Sequence, residues 1–480
     1  MLGIWQIYLR NQLYGRLNIM RIMKGGNCLN TKKTAFVITL IILVGSLSSC
    51  SFLSGNPMNK IVRPPRLEGE KQALQLAFEE SVGNNVLLKS PAKGKFLSSF
   101  VTYDVDGDEE EEAFVFYVDP AADASVRVNI LDKMKGDWTS VADLKGSGSS
   151  VYEIEFEDVN LDGNSEIIIS WSLFDNKTTR IVSVIDFTVS DTGTLTFTAR
   201  ANEYFTYKEL IDFDLNGYYE LCVLHIDNTT EVLQPYLKVF EFTENNSVKL
   251  ISELLLDPNT AAVSKTRKDI ISSDGNDTAR LFIDLLRSDF GLFTEVVVWS
   301  KKDSKLIRML KNPANDTFRE ISLNTSDIDG DGLYEIPVIA ELAGSLQKKL
   351  LSGSEETNDA SYIHLIRWVS LKGAQLKNKK LTIYNPEALY LFGYNWKTNN
   401  VTVRYDQESK DVIFSKWNLK TKKYGDDLFA LNYSSDVTKV LKGYTLAASG
   451  ENGNYWCKIY PAGSSYGITA DYISENIIPI

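Results

Sequence analysis

The hydrophobic positions of this chain fall in short runs separated by polar clusters rich in Asp, Gly, Lys and Ser. After residue 112, four runs rich in Val, Ile, Phe, Tyr and Trp follow one another, at 113–118, 126–131, 138–144 and 151–156. Each run has the length and composition of a β-strand rather than of a helix. The next stretch repeats this plan, with runs at 166–172, 181–187, 194–198 and 207–211. We therefore expect a mainly β protein built from units of four strands.

An acidic loop of nine residues recurs along the chain at nearly fixed intervals. Its copies begin at Asp104, Asp158, Asp212 and Asp327, so the first two steps are 54 residues and the third is 115. Because the third step is about two periods, a degenerate copy is expected midway, and one lies at 272–277. A repeat of roughly 50–60 residues with several short strands per unit is typical of a propeller. The sequence predicts a β-propeller of about five to seven four-stranded blades.

Oxygen-bearing side chains occupy the first, third, fifth and ninth positions of each complete loop. They are Asp104, Asp106, Asp108 and Glu112; Asp158, Asn160, Asp162 and Glu166; Asp212, Asp214, Asn216 and Glu220; and Asp327, Asp329, Asp331 and Glu335. Calcium takes six to eight oxygen ligands, and carboxylates and amides that alternate along a tight loop can point at one ion. We therefore predict structural calcium at these positions. The alternative is that the same residues only form Asx-turns between strands, without an ion.

The copies differ in how well they match. The loop at Asp327 follows the pattern most closely. The copy at 272–277 lacks the first acid and has Arg280 in place of the closing Glu, so we expect it to hold no ion.

These loops resemble the FG-GAP and VCBS repeats of extracellular, integrin-like β-propeller proteins, whose pattern is close to D-x-D-G-D-G-x-x-E/D followed by an apolar strand. The resemblance covers about residues 85–385. It departs from the pattern in the copy at 272–277 and at Glu109, where Gly is expected. The resemblance implies a propeller with calcium in its inter-strand loops. Such repeats serve many functions, so the resemblance indicates architecture rather than activity.

The first 49 residues have the features of a secretory signal. They contain six Lys or Arg and no acid, and Lys32 and Lys33 precede an apolar stretch at 35–47. This stretch is too short to span a bilayer comfortably, and it ends in small residues before Cys50. The segment at 1–49 resembles the signal peptide of a bacterial lipoprotein, with Cys50 as the residue that is diacylated. An uncleaved membrane anchor is the alternative.

The remaining chain divides into three parts. Residues 50–69 carry prolines among polar residues and are expected to form a tether. Residues 70–385 form the predicted propeller. Residues 386–480 lack the acidic loops and are expected to form a β-rich α+β cap or a modified closing blade. Short helices are predicted at 70–82, 435–441 and 469–476.

Charge and residue counts restrict the chemistry. Removing six of the 51 Lys and Arg with the signal leaves 45 against 63 Asp and Glu, a formal charge of about −18. This acidic surplus argues against nucleic acid as a partner, because backbone phosphates need a basic face. Beyond Cys50 only Cys222 and Cys457 remain, which either form a disulfide or fill the core. Two His residues offer little material for a zinc site or a His-based catalytic pair.

Together these features favour a non-catalytic, lipid-anchored protein on the extracytoplasmic face of a bacterial cell membrane. The membrane is one expected partner, through the lipid on Cys50, and a protein or glycan of the envelope or surroundings is the other. An extracytoplasmic glycan hydrolase or lyase on the same scaffold is the alternative. The sequence singles out no acid for catalysis, because the regularly spaced acids are assigned to the loops.

Overall fold

A computed structural model describes residues 69–480, except for 124, 174–178, 191–194, 228–233, 243–247, 274–275, 346–362 and 397–399. The predicted signal peptide, Cys50 and all but the last residue of the predicted tether lie outside the described residues. Among the described residues, no helix has the length and apolar character needed to cross a membrane.

The described chain is mainly β, as predicted, and forms six antiparallel sheets of four or five strands. Within a sheet, most strands pair with the strand that follows them along the chain. This arrangement is the simplest for strands joined by short connections, because a tight turn brings the next strand back antiparallel. We number the sheets 1 to 6 in chain order.

Sheets 1 to 3 occupy residues 87–255. Sheet 1 contains β1 (Leu87–Leu88), β2 (Phe100–Tyr103), β3 (Glu112–Val118), β4 (Val126–Met134) and β5 (Asp137–Lys145). Sheet 2 contains β6 (Ser150–Glu157), β7 (Glu166–Ser172), β8 (Arg180–Val189) and β9 (Leu195–Phe205). Sheet 3 contains β10 (Tyr207–Ile211), β11 (Glu220–Asp227), β12 (Gln234–Phe242) and β13 (Val248–Leu255). In sheet 1, β1 and β2 both pair with β3.

Sheets 4 to 6 occupy the rest of the chain. Sheet 4 contains β14 (Thr260–Ser273), β15 (Asn276–Arg287), β16 (Leu292–Ser300) and β17 (Lys305–Arg308). Sheet 5 contains β18 (Ile336–Ala340), β19 (His364–Lys372), β20 (Gln375–Asn385), β21 (Tyr390–Gly393) and the last strand, β27 (Ile477–Pro479). Sheet 6 contains β22 (Val401–Asp406), β23 (Asp411–Asn418), β24 (Lys423–Ser434), β26 (Gly453–Ile459) and β25 (Thr445–Gly450). Sheet 6 therefore lies entirely within the predicted cap or closing blade.

The boundaries of the repeating unit differ from those predicted. The sequence pattern places the run at 151–156 at the end of the first unit, but β6 pairs with β7 and opens sheet 2. In the same way β10 opens sheet 3. Each complete acidic loop in sheets 1 to 3 therefore joins two consecutive strands of one sheet, not two different sheets. Hydrophobic pattern alone gives no information on which neighbouring strands pair, and this is the reason for the error.

The sheets pack face to face in chain order, and the runs of consecutive apolar residues follow from this packing. Ile167 and Ile169 of β7 lie in a core cluster with residues of sheet 1, and Ile168 lies in a cluster with residues of sheet 3. All three are fully buried. Successive side chains of a strand point to opposite faces, so a strand covered on both faces is apolar throughout.

The same packing continues through the later sheets. Shared core clusters join sheet 3 to sheet 4, sheet 4 to sheet 5, and sheet 5 to sheet 6. Between sheets 5 and 6, the rings of Phe392 and Phe414 have their centroids 5.2 Å apart. The core is thus a series of apolar layers between successive sheets.

The helices are short and lie at the ends of the sheet series or in connections. They are α1 (Glu70–Val82), α2 (Pro313–Asp316), α3 (Pro461–Ser465) and α4 (Ala470–Asn476). Helix α1 confirms the prediction at 70–82, and its Leu74 and Phe78 pack against sheet 1 on the face turned away from sheet 2. Helix α4 confirms the prediction at 469–476, and the side chain of Thr469 caps it by accepting the Tyr472 N–H.

The helix predicted at 435–441 is wrong, because these residues form turns between β24 and β25. The Asp436 carboxylate accepts the backbone N–H and the hydroxyl of Thr438, which favours a turn over a helix. Val437 and Val440 in this stretch are exposed, so it offers no apolar face to the core.

Candidate metal centres in the acidic loops

The four complete acidic loops share one backbone conformation. In each loop the fourth and sixth residues have positive φ angles, between 55° and 97°. This is the left-handed region, which Gly enters without strain and other residues enter at a cost. The residues are Gly107, Leu161, Leu215 and Gly330 at the fourth position, and Glu109, Gly163, Gly217 and Gly332 at the sixth.

The first aspartate of each loop holds this conformation through hydrogen bonds with the backbone. One of its carboxylate oxygens accepts the N–H of the sixth residue at 2.8–3.1 Å. The donor and acceptor pairs are Glu109 and Asp104, Gly163 and Asp158, Gly217 and Asp212, and Gly332 and Asp327. These bonds are of the Asx-turn type, so they fit either alternative, with or without an ion.

The closing glutamate of each loop is buried at the start of the strand that follows the loop, or just before it. Its Oε2 accepts the backbone N–H of the second loop residue at 2.8–3.2 Å. The pairs are Glu112 with Val105, Glu166 with Val159, Glu220 with Phe213, and Glu335 with Ile328. A glutamate buried at the same place in four loops indicates a repeated site rather than four unrelated turns.

Burial makes these glutamates hold their protons unusually strongly. Burial and, to a smaller extent, the neighbouring loop carboxylates raise the pKa of Glu112 to about 8 and the pKa of Glu166, Glu220 and Glu335 to about 7. The hydrogen bond from the backbone opposes this increase but does not cancel it. At neutral pH each of these sites therefore favours a bound proton or a bound cation.

Two loops bring three carboxylates close together. In the first loop the oxygens of Asp104, Asp106 and Asp108 lie within 4.8 Å of one another. In the loop at Asp327 the oxygens of Asp327, Asp329 and Glu335 do the same. Glu335 is fully buried, and its Oε1 has no hydrogen-bond partner. An unpaired buried carboxylate oxygen is costly, and a hard cation with oxygen ligands is the partner that suits it.

The loops at Asp158 and Asp212 carry fewer charges, because one acidic position in each is an Asn. Asn160 donates its side-chain N–H₂ to Asp162 at 3.2 Å and to Glu166 at 3.0 Å. The Asn160 amide therefore occupies oxygens of Asp162 and Glu166 that a bound ion would need as ligands. These two loops fit a cation less well than the loop at Asp104.

The loop at Asp327 has a neighbour that the sequence pattern did not predict. The Lys379 ammonium, on β20, lies 3.2 Å from Asp329 Oδ2 and 2.5 Å from Asp331 Oδ2. Its hydrogen bond with Asp331 raises the pKa of Lys379 and lowers the pKa of Asp331. This loop matches the sequence pattern best, yet a cation there must displace the lysine from two of its proposed ligands.

The degenerate loop of sheet 4 has an internal cation in place of the closing acid. Arg280 pairs in register with Asp269, as Glu220 pairs with Ile211 in sheet 3. Its guanidinium makes two hydrogen bonds to the Asp269 carboxylate, at 2.5 and 2.6 Å, and both side chains are buried. The sequence identified Arg280 as the replacement for Glu but did not identify Asp269, which lies outside the nine-residue pattern.

Hydrogen bonds at the eighth loop position connect consecutive sheets. The Ser165 N–H donates to the Val105 carbonyl at 2.7 Å, and the Tyr219 N–H donates to the Val159 carbonyl at 2.8 Å. The Tyr334 N–H donates to the Asp269 carboxylate at 2.9 Å. The acidic loops are therefore neighbours in space at one end of their sheets.

The two cysteines within the described residues are core residues. Cys222 in sheet 3 and Cys457 in sheet 6 are buried, unpaired thiols. Of the two interpretations of these cysteines, the structure supports core packing and not a disulfide.

No protein-family model matches this chain, and a search of curated proteins finds none similar to it.

Proposed function

We propose that this chain is a lipid-anchored, non-catalytic protein of the extracytoplasmic face of a bacterial membrane. In this proposal a calcium-stabilised β-propeller of FG-GAP/VCBS type binds a protein or glycan of the envelope or surroundings. The observation that carries the proposal is the repeated loop geometry: four loops share one conformation, and each closes on a buried glutamate.

Three features support a propeller with six blades. The chain forms six antiparallel sheets, successive sheets share apolar cores, and hydrogen bonds join acidic loops of successive sheets. In a propeller the blades pack face to face around an axis, which accounts for strands that are apolar on both faces. On this proposal, residues 401–459 supply the sixth blade, and α1 covers the face of sheet 1 nearest to it.

The loop chemistry supports calcium as the cation. The donors are carboxylate and amide oxygens, the ligands that calcium prefers. The loop at Asp104 fits best, because its three aspartates converge and none of them pairs with a lysine or arginine among the described residues. Bound calcium would neutralise the carboxylates that burial makes costly to ionise.

Membrane anchoring rests on the amino-terminal sequence. The apolar stretch at 35–47 and the small residues before Cys50 support a lipid anchor, with the folded residues outside the membrane and attached through the proposed tether. A site on the outer side of a membrane is also consistent with calcium, which is more abundant there than in the cytosol.

A glycan hydrolase or lyase remains the second candidate, because one cleft contains three glutamates. Glu155, Glu157 and Glu209 line a cleft of about 280 Å³ with Lys208 and Lys268. Paired carboxylates are the usual acid–base groups of glycan cleavage. Binding is preferred, since Glu155 pairs with Lys208 and Glu209 pairs with Lys268.

Calcium-dependent unfolding tests the calcium proposal. We expect chelator to lower the melting temperature of the wild-type protein, and the variant Asp104→Ala/Asp108→Ala to lose much of this response. The matched control is Glu110→Ala/Glu111→Ala, which removes the same charge from the same loop at positions that the proposal does not assign to the ion. An unchanged melting temperature in chelator would leave the Asx-turn alternative.

A further inference from the structure

A cleft of about 630 Å³ lies where sheets 2, 3 and 4 meet. Residues 261–267 of β14 form one wall, Thr206, Tyr207 and Glu209 form another, and Arg180 contributes from β8. β14 is the first strand of sheet 4, and among the described strands it pairs only with β15, so its other edge forms no strand pairing there. The volume is within the usual range for sites that bind small molecules, roughly 300–1,000 Å³.

Positive charge is concentrated in this cleft. Lys265, Arg267 and Arg180 line it, together with one carboxylate, Glu209. Among the described residues, neither Lys265 nor Arg267 lies within ion-pair distance of a carboxylate. This is unusual in a chain whose formal charge is −12, where free carboxylates are abundant.

Glu209 does not neutralise these cations, because its own partners lie elsewhere. It accepts a hydrogen bond from the Tyr207 hydroxyl at 2.5 Å and from the Lys268 ammonium at 2.8 Å. The Lys268 ion pair compensates the charge of Glu209, so the positive charge of Lys265 and Arg267 remains.

The two arginines of the cleft are held by aromatic rings. The Arg180 guanidinium lies 3.8 Å from the centre of the Tyr152 ring, and the Arg267 guanidinium lies 5.9 Å from the centre of the Tyr334 ring. The contact with Tyr334 positions the Arg267 guanidinium while leaving N–H groups at its edge for a ligand. The only hydrogen bond that Arg267 makes among the described residues is to the Thr266 carbonyl.

We infer that this cleft binds a small anionic molecule that carries a carboxylate or a phosphoryl group, with Arg267 and Lys265 as the residues that contact the anion. A planar guanidinium suits either group, because it can donate two parallel hydrogen bonds to two oxygens. The hydroxyls of Thr206 and Thr266 lie in the same cleft and suit the polar remainder of such a molecule. The inference does not depend on membrane anchoring or on calcium in the acidic loops.

Calorimetric titration of the full chain in detergent tests the inference, with sodium phosphate, sodium glucuronate and neutral glucose as probes at constant ionic strength. We expect saturable binding of phosphate, glucuronate or both, and no binding of glucose. Binding of only one anion would identify the phosphoryl or the carboxylate group as the preferred ligand chemistry.

The variant Lys265→Gln/Arg267→Gln should weaken anion binding by about tenfold or more, since it removes two charge-assisted contacts. Arg267→Lys, which keeps the charge but not the two-pronged donor, should weaken binding less. The matched control, Lys301→Gln/Lys302→Gln, removes the same charge from an exposed turn and should bind as the wild type does. Absence of saturable binding of both anions, equal binding of glucose, or equal affinity in Lys265→Gln/Arg267→Gln would overturn the inference.

Discussion

At the scale of single residues, the loops are defined by backbone positions that favour Gly. Glu109 has φ +73°, whereas the corresponding residues of the other three loops are all Gly. A non-Gly residue in the left-handed region costs roughly 1–2 kcal/mol. The loop at Asp104 therefore has the same shape as the other loops, but its backbone is strained at Glu109.

Replacing Glu109 by Gly should stabilise the protein. Relief of the strain exceeds the loss from the greater freedom of Gly in the unfolded chain, which is roughly 0.5–1 kcal/mol. Glu110→Gly is the matched control, because it removes the same charge from the next residue, whose φ is not positive. The free energies of unfolding in urea should differ by about 1–2 kcal/mol between these variants, in favour of Glu109→Gly. Equal stabilities would contradict the strain at Glu109.

The buried glutamates make stability depend on pH in a defined direction. Their folded pKa values, about 7 to 8, lie above the ordinary value of 4.5, so the folded state binds more protons than the unfolded state between these limits. In chelator, the stability that these four glutamates contribute is therefore fully present below about pH 4.5 and is lost as pH rises to about 8. Calcium should stabilise the protein more at pH 8 than at pH 5, because protons compete with it for the same oxygens.

Calorimetric unfolding across this pH range, with and without calcium, measures the effect. Glu112→Gln should reduce the pH dependence in chelator, because it removes one of the titrating groups. Glu111→Gln, at the exposed neighbouring residue, should leave it unchanged. An unfolding midpoint in chelator that rises from pH 5 to pH 8 would contradict this account.

At the scale of elements, the Arg280–Asp269 pair connects two strands of sheet 4 with the acidic loop before sheet 5. Arg280 on β15 bonds Asp269 on β14, and Asp269 also accepts the Tyr334 N–H just before β18. The pair thus joins sheet 4 to the acidic loop of sheet 5. In the degenerate repeat, a protein guanidinium supplies the positive charge that a bound cation is proposed to supply in the others.

Arg280→Met should be strongly destabilising, because it leaves Asp269 as a buried carboxylate without a counter-charge. Loss of one partner of a buried pair typically costs about 3–5 kcal/mol. Adding Asp269→Asn should recover part of the loss, because the amide oxygen can still accept the Tyr334 N–H. Arg287→Met, which removes a more exposed partner at the end of the same strand, should cost about 1 kcal/mol or less. Urea unfolding of the wild type and the three variants measures these differences. Similar losses of unfolding free energy in Arg280→Met and Arg287→Met would contradict a stabilising role of the buried Arg280–Asp269 pair.

The sequence predicted local elements well and contacts between distant residues poorly. The predicted strands at 113–118 and 166–172 match β3 and β7 closely, because apolar runs bounded by turn residues carry a strong local signal. The spacing of the repeat also predicted that Arg280 takes the place of the closing glutamate in the degenerate loop. Lys379 was not, because it reaches Asp331 across 48 residues and no local pattern reports such a contact. The pairing of β6 with β7 and of β10 with β11 was missed for the same reason, since no local pattern shows which neighbouring strands pair.

At the scale of the whole molecule, the amino-terminal sequence predicts attachment to a membrane through lipid on Cys50. Cys50→Ser should therefore release the protein from the membrane fraction, since the thiol is the predicted site of lipid attachment. Fractionation of cells that express the variant checks this, and Cys222→Ser, at a buried residue far along the chain, is the control. Membrane association that persists in Cys50→Ser would support the uncleaved-anchor alternative.

The arrangement of the six sheets explains why the acidic loops matter to the whole molecule. The loops at Asp104, Asp158 and Asp212 each join two consecutive strands of one sheet, and the loop at Asp327 leads into the first strand of sheet 5. Hydrogen bonds at these loops reach a neighbouring sheet. A cation that fixes such a loop stabilises both the sheet that carries it and the packing to the next one.

Anomalous diffraction from a crystal grown in calcium tests the central claim most directly, because it shows both the ions and the arrangement of the sheets. We predict an anomalous peak among Asp104, Asp106 and Asp108, and six sheets arranged around one axis. An acidic loop at Asp104 without a peak at saturating calcium, or sheets without a common axis, would contradict the account.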